Sequence, residues 1–215
     1  GRGRIIALIG EPGIGKSRLL HELRSAIGII GMTYLEGRGE SFAAGIPYYA
    51  IVDLLKGYFH VDDCDDPAMI GNKVTTQLQA IDHAPASDVA PLLALLDAPV
   101  ADPGWPMLDP PRRRQRTLDA LTRFVLRLSH VKPTLLAVED LHWSDAETLA
   151  FLDRLIMSAP SAALMILVTY RPEFTHGWGN RDGYTQIRLE ALPVEKAEAM
   201  LQEFAAQVSQ QLPSA

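Results

Sequence analysis

The chain has 215 residues, 47% of them apolar and 21% charged, with a net charge of -6. That length buries a core without disulfides or structural metal. The lone cysteine, Cys64, excludes an internal disulfide and fits a reducing compartment, so a cytoplasmic protein is expected. The acidic balance gives no general attraction to nucleic acid or anionic membrane, no apolar run is long enough to cross a bilayer, and the N-terminus lacks a signal-peptide pattern.

Taken in chain order, residues 4–9 (RIIALI) form a short apolar run that reads as a buried strand. A glycine-rich turn follows, then a helix from about Lys16 to Ile27 with Leu19, Leu20, Leu23 and Ile27 on one face. Residues 33–38 read as a second strand and 48–59 as a helix. Residues 60–111 carry most of the prolines, an acidic patch at Asp62, Asp63, Asp65 and Asp66 that reads as a solvated loop, and an apolar helical segment near Leu92 to Leu96. Asp109 followed by Pro110 predicts a capped helix reaching about His130. Residues 134–138 (TLLAV) read as a core strand. Ser144 and Glu147 have the spacing of a capping box for a helix whose inner face holds Leu149, Leu152, Leu155 and Ile156. Strands at 163–170 and 184–189 follow, and Pro193 opens a last helix. Strands that alternate with helices, and that are apolar throughout, predict an α/β fold with a parallel sheet covered on both faces. A chain that starts without Met and ends in an unpartnered helical pattern reads as a segment of a longer polypeptide.

Gly10-Glu11-Pro12-Gly13-Ile14-Gly15-Lys16-Ser17 matches the P-loop pattern G-x-x-x-x-G-K-[ST]. Glycines let backbone N–H groups approach phosphate oxygens, and the helix beginning near Lys16 aims its positive dipole end at the same place. Gly10 to Arg18 are therefore the expected binding residues for ATP, with Lys16 on the β- and γ-phosphates and the Ser17 hydroxyl on magnesium. The strand TLLAVED ends in Glu139 and Asp140. By position Glu139 is the magnesium-side acid and Asp140 the base that polarises the attacking water; the reverse assignment stays open. His142 reads as a loop histidine and Asp145 as an acid favoured by its helix dipole. Arg112, Arg113, Arg114 and Arg116 form the basic cluster of the chain, in helical turns where positive charge opposes the dipole; a solvated helix end is one reading and a partner site the other.

GEPGIGKSRLLHEL (10–23), LLAVEDLHWSDAETLAFLDRL (135–155) and LVTYRPEF (167–174) together resemble the STAND branch of the AAA+-like ATPases. The likeness is to domains that sit beside class III adenylate/guanylate cyclase domains and upstream of tetratricopeptide-type repeats; HGWG (176–179) and the DPPRRRQRTLDAL segment share it. The resemblance implies a five-stranded sheet of order 5-1-4-3-2, with Arg171 ending the fourth strand as a sensor of the γ-phosphate. It also implies a P-loop core over residues 1–192 with a helical insert at about 60–111, the beginning of a helical lid over 193–215, and an adenine pocket that draws on chain ahead of the first strand. The function expected is a magnesium- and ATP-dependent regulatory ATPase module of a signalling protein. Its partners would be neighbouring domains of the same polypeptide, with nucleotide-dependent self-association. The alternative is a nucleotide-binding switch with negligible hydrolysis. The acid pair and the helix after it argue against a P-loop kinase, and the acidic balance against a nucleic-acid loader.

Overall fold

A computed structural model describes residues 3–81, 85–159 and 162–191. The glycine-poor, β-branched run Arg4–Ile9 is strand β1, followed by helix α1 at Lys16–Ile30, strand β2 at Thr33–Arg38 and helix α2 at Tyr49–Phe59. Helices α3 (Pro67–Ala80), α4 (Ala86–Leu95) and α5 (Pro110–Val131) lead to β3 (Thr134–Glu139), α6 (Ala146–Ser158), β4 (Leu164–Tyr170) and β5 (Tyr184–Arg188). The five strands are all parallel in the order β2-β3-β4-β1-β5, the expected order read from the other edge. The expected helix after Pro193 lies outside the described residues. Among those described, no helix is long and apolar enough to cross a membrane.

Alternate residues of the central strands feed two apolar layers, as the period-two geometry of a strand requires. Leu8, Leu135, Ala137 and Leu167 pack with Leu20 and Ile27 of α1. Ile5, Ala7, Leu136, Val138, Ile166 and Val168 face the other way, into the larger layer built with α2, α5 and α6. Every residue of β3 is buried, whereas β5 at the sheet edge is largely exposed. The strand ends nearest the phosphate loop are therefore held by packing on both faces.

The stretch at 60–111 holds two helices where the sequence pattern showed one. Asp66 caps α3 by accepting from the Met69 N–H at 2.8 Å, with Pro67 in the first turn. The acidic patch is a set of local ties: Asp65 accepts from the Lys73 ammonium at 2.6 Å and from the Asp62 N–H at 2.8 Å. Asp109 caps α5 as expected, accepting from the Arg112 N–H at 2.8 Å. The arginines behind it find partners inside the chain. Arg112 pairs with Asp109; Arg113 donates to the Pro106 and Leu108 carbonyls; Arg114 donates to both oxygens of Glu147 at 2.8 and 2.7 Å; Arg116 meets Asp102 at 3.2 Å and lies over Trp105. Helix α6 starts one residue later than the capping-box spacing predicts. Asp145 is its N-cap, accepting from the N–H groups of Glu147 and Thr148, because a carboxylate here also takes the Thr148 hydroxyl at 2.6 Å. The Ser144 hydroxyl has no protein partner, and Glu147 turns outward to Arg114 and the Tyr48 hydroxyl.

One buried charge ties α4 to α5. The Asp88 side chain is 2% exposed and receives Arg123 at 2.6 Å and Arg127 at 3.0 Å. Asp88→Ala is expected to cost about 3 kcal/mol, the low end for removing one partner of a buried ion pair, because Arg123 is half-exposed and rehydrates. Urea denaturation of parent and variant measures this. A loss under about 1 kcal/mol would place the pair with ordinary solvent-screened ones.

Candidate functional site

The phosphate loop runs from Gly10 at the end of β1 to Ser17 in the first turn of α1, and its path needs glycine at specific points. Gly13 and Gly15 have φ of 77° and 104°, left-handed conformations that a side chain strains. Gly10 has no room: a Cβ there would stand 2.7 Å from the Ile14 methyl. The Lys16 side chain folds back over this loop, its ammonium donating to the carbonyls of Gly10 at 2.7 Å and Glu11 at 3.1 Å. Lys16 is 7% exposed, and two of its three donors are used, leaving one for an outside acceptor.

Pro12, Gly13, Gly15, Lys16 and Ser17 form one wall of a cavity of about 310 Å³, with Arg18, Asp140 and Arg171 completing it. Three strand ends thus converge on one space: β1 through the loop, β3 through Asp140 and β4 through Arg171. Glu11 and Ile14 stand outside the lining, Glu11 contributing its carbonyl to Lys16 and Ile14 packing on Gly10. A larger cavity of about 930 Å³ opens between α3 and α4; its lining is mostly apolar and amide, and its charged residues, Asp102 and Arg116, are paired with each other.

The two acids differ in setting. Asp140 begins the turn after β3 with a left-handed φ of 51°, and its N–H donates to the Thr169 hydroxyl at 3.0 Å. Glu139, the last residue of β3, is not part of the cavity lining; its side chain is 2% exposed and its carboxylate lies near the Ser17 hydroxyl, which does line it. Its Oε1 accepts from Arg38 at 2.7 Å, and its Oε2 is buried with no protein partner. Burial pushes the Glu139 carboxyl up, but the Arg38 guanidinium and the Ser17 hydroxyl beside it outweigh that and hold it below the usual carboxylate value. Arg171 sits with its guanidinium over the Trp143 ring, 5.5 Å from the centroid. His142 has two buried ring nitrogens without protein partners, and burial lowers its pKa, which favours the neutral ring.

This donor set fits a magnesium–polyphosphate group. The glycine-bearing loop, the start of α1, Lys16 and two arginines suit an anion, and a hydroxyl with two carboxylates suits a hard cation. The orphaned Oε2 of Glu139 is a buried acceptor awaiting a partner of that kind. Arg38, Trp143 and Thr169 were not among the residues picked from sequence. Arg38 ends the second predicted strand, and pairing that strand with the third would have placed it beside Glu139.

An α/β fold with a phosphate loop between its first strand and helix defines a P-loop nucleotide-binding protein. The AAA ATPase domain family matches residues 1–168, and the chain belongs to that family. No curated protein matches the chain. A solved structure from Pyrococcus horikoshii, described as a Signal Transduction ATPase with Numerous Domains (STAND) protein with a tetratricopeptide repeat sensor, is similar over 94% of this chain and 23% of its own, at 12% identity and a TM-score of 0.41. The chain thus spans less than a quarter of that protein, a likeness too distant to transfer activity or partners.

Proposed function

We propose that the chain binds ATP with magnesium in the 310 Å³ cavity and hydrolyses it, as the regulatory ATPase module of a larger STAND-type signalling protein. The convergence of Lys16, Ser17, Asp140 and Arg171 on one cavity carries this reading. The amides of the loop Gly10-Glu11-Pro12-Gly13-Ile14-Gly15 cradle the phosphates, with Arg18 at the rim and Lys16 countering the β/γ charge. Ser17 and Glu139 would hold the magnesium, which would supply positive charge against the phosphate charge. The Asp140 carboxylate accepts the proton of the attacking water, and Arg171 reports the γ-phosphate. Residues 1–192 are the core in this reading, 193–215 begin a lid, and cyclase or repeat domains are the candidate neighbours. Cytoplasmic residence and nucleotide-dependent self-association belong to the same proposal.

Paired titrations of Mg-ADP and a non-hydrolysable Mg-ATP analogue test it. The parent should bind both. Arg171→Ala should weaken the analogue by about tenfold or more and ADP little, because each hydrogen bond to a charged group contributes about 1.5–3 kcal/mol and only the analogue has the γ-phosphate. Equal weakening would make Arg171 structural, and a parent that binds neither nucleotide would remove the reading.

A further inference from the structure

Glu139 and Arg38 are register partners across β2 and β3, so their side chains leave the sheet on the same face at the same level. The backbones are locked at that level too. The Gly39 N–H donates to the Glu139 carbonyl at 2.8 Å, and a Cβ on Gly39 would stand 2.6 Å from the Asp140 carbonyl oxygen. The Arg38 N–H is itself held by Asp53 at 3.1 Å. The end of β2 is therefore a fixed platform against the acid pair.

The choice of partner on that platform is informative. Arg38 is half-exposed and lines a cavity of about 670 Å³ that also presents Glu36, Glu40 and Asp53. Its guanidinium nevertheless reaches past these to the almost fully buried carboxylate of Glu139, at 2.7 Å. Glu36, whose carboxyl also stands beside that of Glu139, has its own arginine, Arg24, at 3.3 Å. Arg38 makes a single bond, to Oε1, and leaves Oε2 without a protein partner while the Ser17 hydroxyl stands beside the same carboxylate. A carboxylate gripped by one oxygen loses its rotation about the last side-chain bond and keeps the other oxygen available.

Resting on the nucleotide reading above, we infer that Arg38 is a positioning residue for the metal-side acid: by holding Oε1 of Glu139 it presents Oε2 for the shell of a divalent cation shared with Ser17. The guanidinium acts from behind the acid, from the edge strand, and touches neither nucleotide nor ion. Metal-dependent affinity at the phosphate loop is thereby tied to the geometry of β2.

The test is ATP titration of the parent, Arg38→Gln, Arg38→Lys and Glu139→Gln, each with magnesium and again in EDTA. Arg38→Gln should lose about tenfold of the gain in affinity that magnesium confers, the size of one charge-assisted hydrogen bond, and should match the parent in EDTA. Arg38→Lys, which keeps a charged donor, should recover part of the gain and serves as the readout if the glutamine variant does not fold. Arg38→Gln combined with Glu139→Gln should be no worse than Glu139→Gln alone, since both remove the same support. A magnesium gain that is unchanged or larger in Arg38→Gln overturns the inference, as does an equal loss in EDTA or full additivity with Glu139→Gln. A parent whose magnesium gain survives Glu139→Gln overturns it while leaving the phosphate loop intact. A parent that binds no ATP overturns both.

Discussion

Lys16→Ala is expected to weaken Mg-ATP binding by about a hundredfold or more while leaving the fold in place. The ammonium is nearly buried and aimed across the loop, bonded to the Gly10 and Glu11 carbonyls. The one free donor makes a charge-assisted contact to phosphate, which at the upper end of about 1.5–3 kcal/mol already amounts to a hundredfold. The sheet does not depend on this side chain, because β1 is paired with β4 along its whole length and with β5 from Ile5 to Ile9. Lys16→Met is the sharper control, since it keeps the volume beneath the loop and removes the charge. Thermal shift with and without Mg-ATP reads the outcome. An equal ATP-induced shift in parent and variants would mean that the cavity at Lys16 is not where the phosphates sit.

Asp140→Asn should keep Mg-ATP binding near the parent value and slow phosphate release by about 10²–10⁴-fold, the usual contribution of a positioned general base. Asparagine is well suited to the structural demand of the site, since it tolerates the left-handed backbone that Asp140 adopts. The Thr169 hydroxyl meets the backbone N–H of this residue and not its carboxylate, so that tie survives the change. Single-turnover phosphate release beside a binding isotherm separates chemistry from affinity. If Asp140→Asn instead loses magnesium-dependent binding and Glu139→Gln loses turnover, the two acids have exchanged roles.

Much of this architecture is legible in the residues. RIIALI, TLLAV and the apolar run before Arg171 are short, β-branched and uninterrupted, which leaves little alternative to buried parallel strands. The phosphate loop is local in sequence, so its spacing alone brings its parts together. Helix α3 escaped notice because its apolar residues are sparse; Val74 and Leu78 are its buried pair, set among glycine, asparagine and threonine. The α6 cap was misplaced by one residue because Ser144 and Asp145 are both good caps, and only the Thr148 hydroxyl decides between them. The ties of Arg38 to Glu139 and of Arg171 to Trp143 need more than the local pattern, and the first follows only once the expected order 5-1-4-3-2 is used to pair the second and third strands. They join side chains distant in sequence and depend on which strands become neighbours, which no local pattern records.

Strands β2 and β3 lie side by side, yet all of α2 to α5 is threaded between them. Closing so long a detour is entropically lenient, since doubling its length adds only about 0.6 kcal/mol. The detour can therefore lengthen, shorten or be rebuilt over evolutionary time with little penalty to the ladder that follows it. What cannot drift is the rung at which the two strands meet, because a slip of one residue would turn Glu139 to the opposite face and carry Asp140 away from the loop. The helical segment is thus a place where the protein can change its exterior while the register of a single strand pair keeps its chemistry in place.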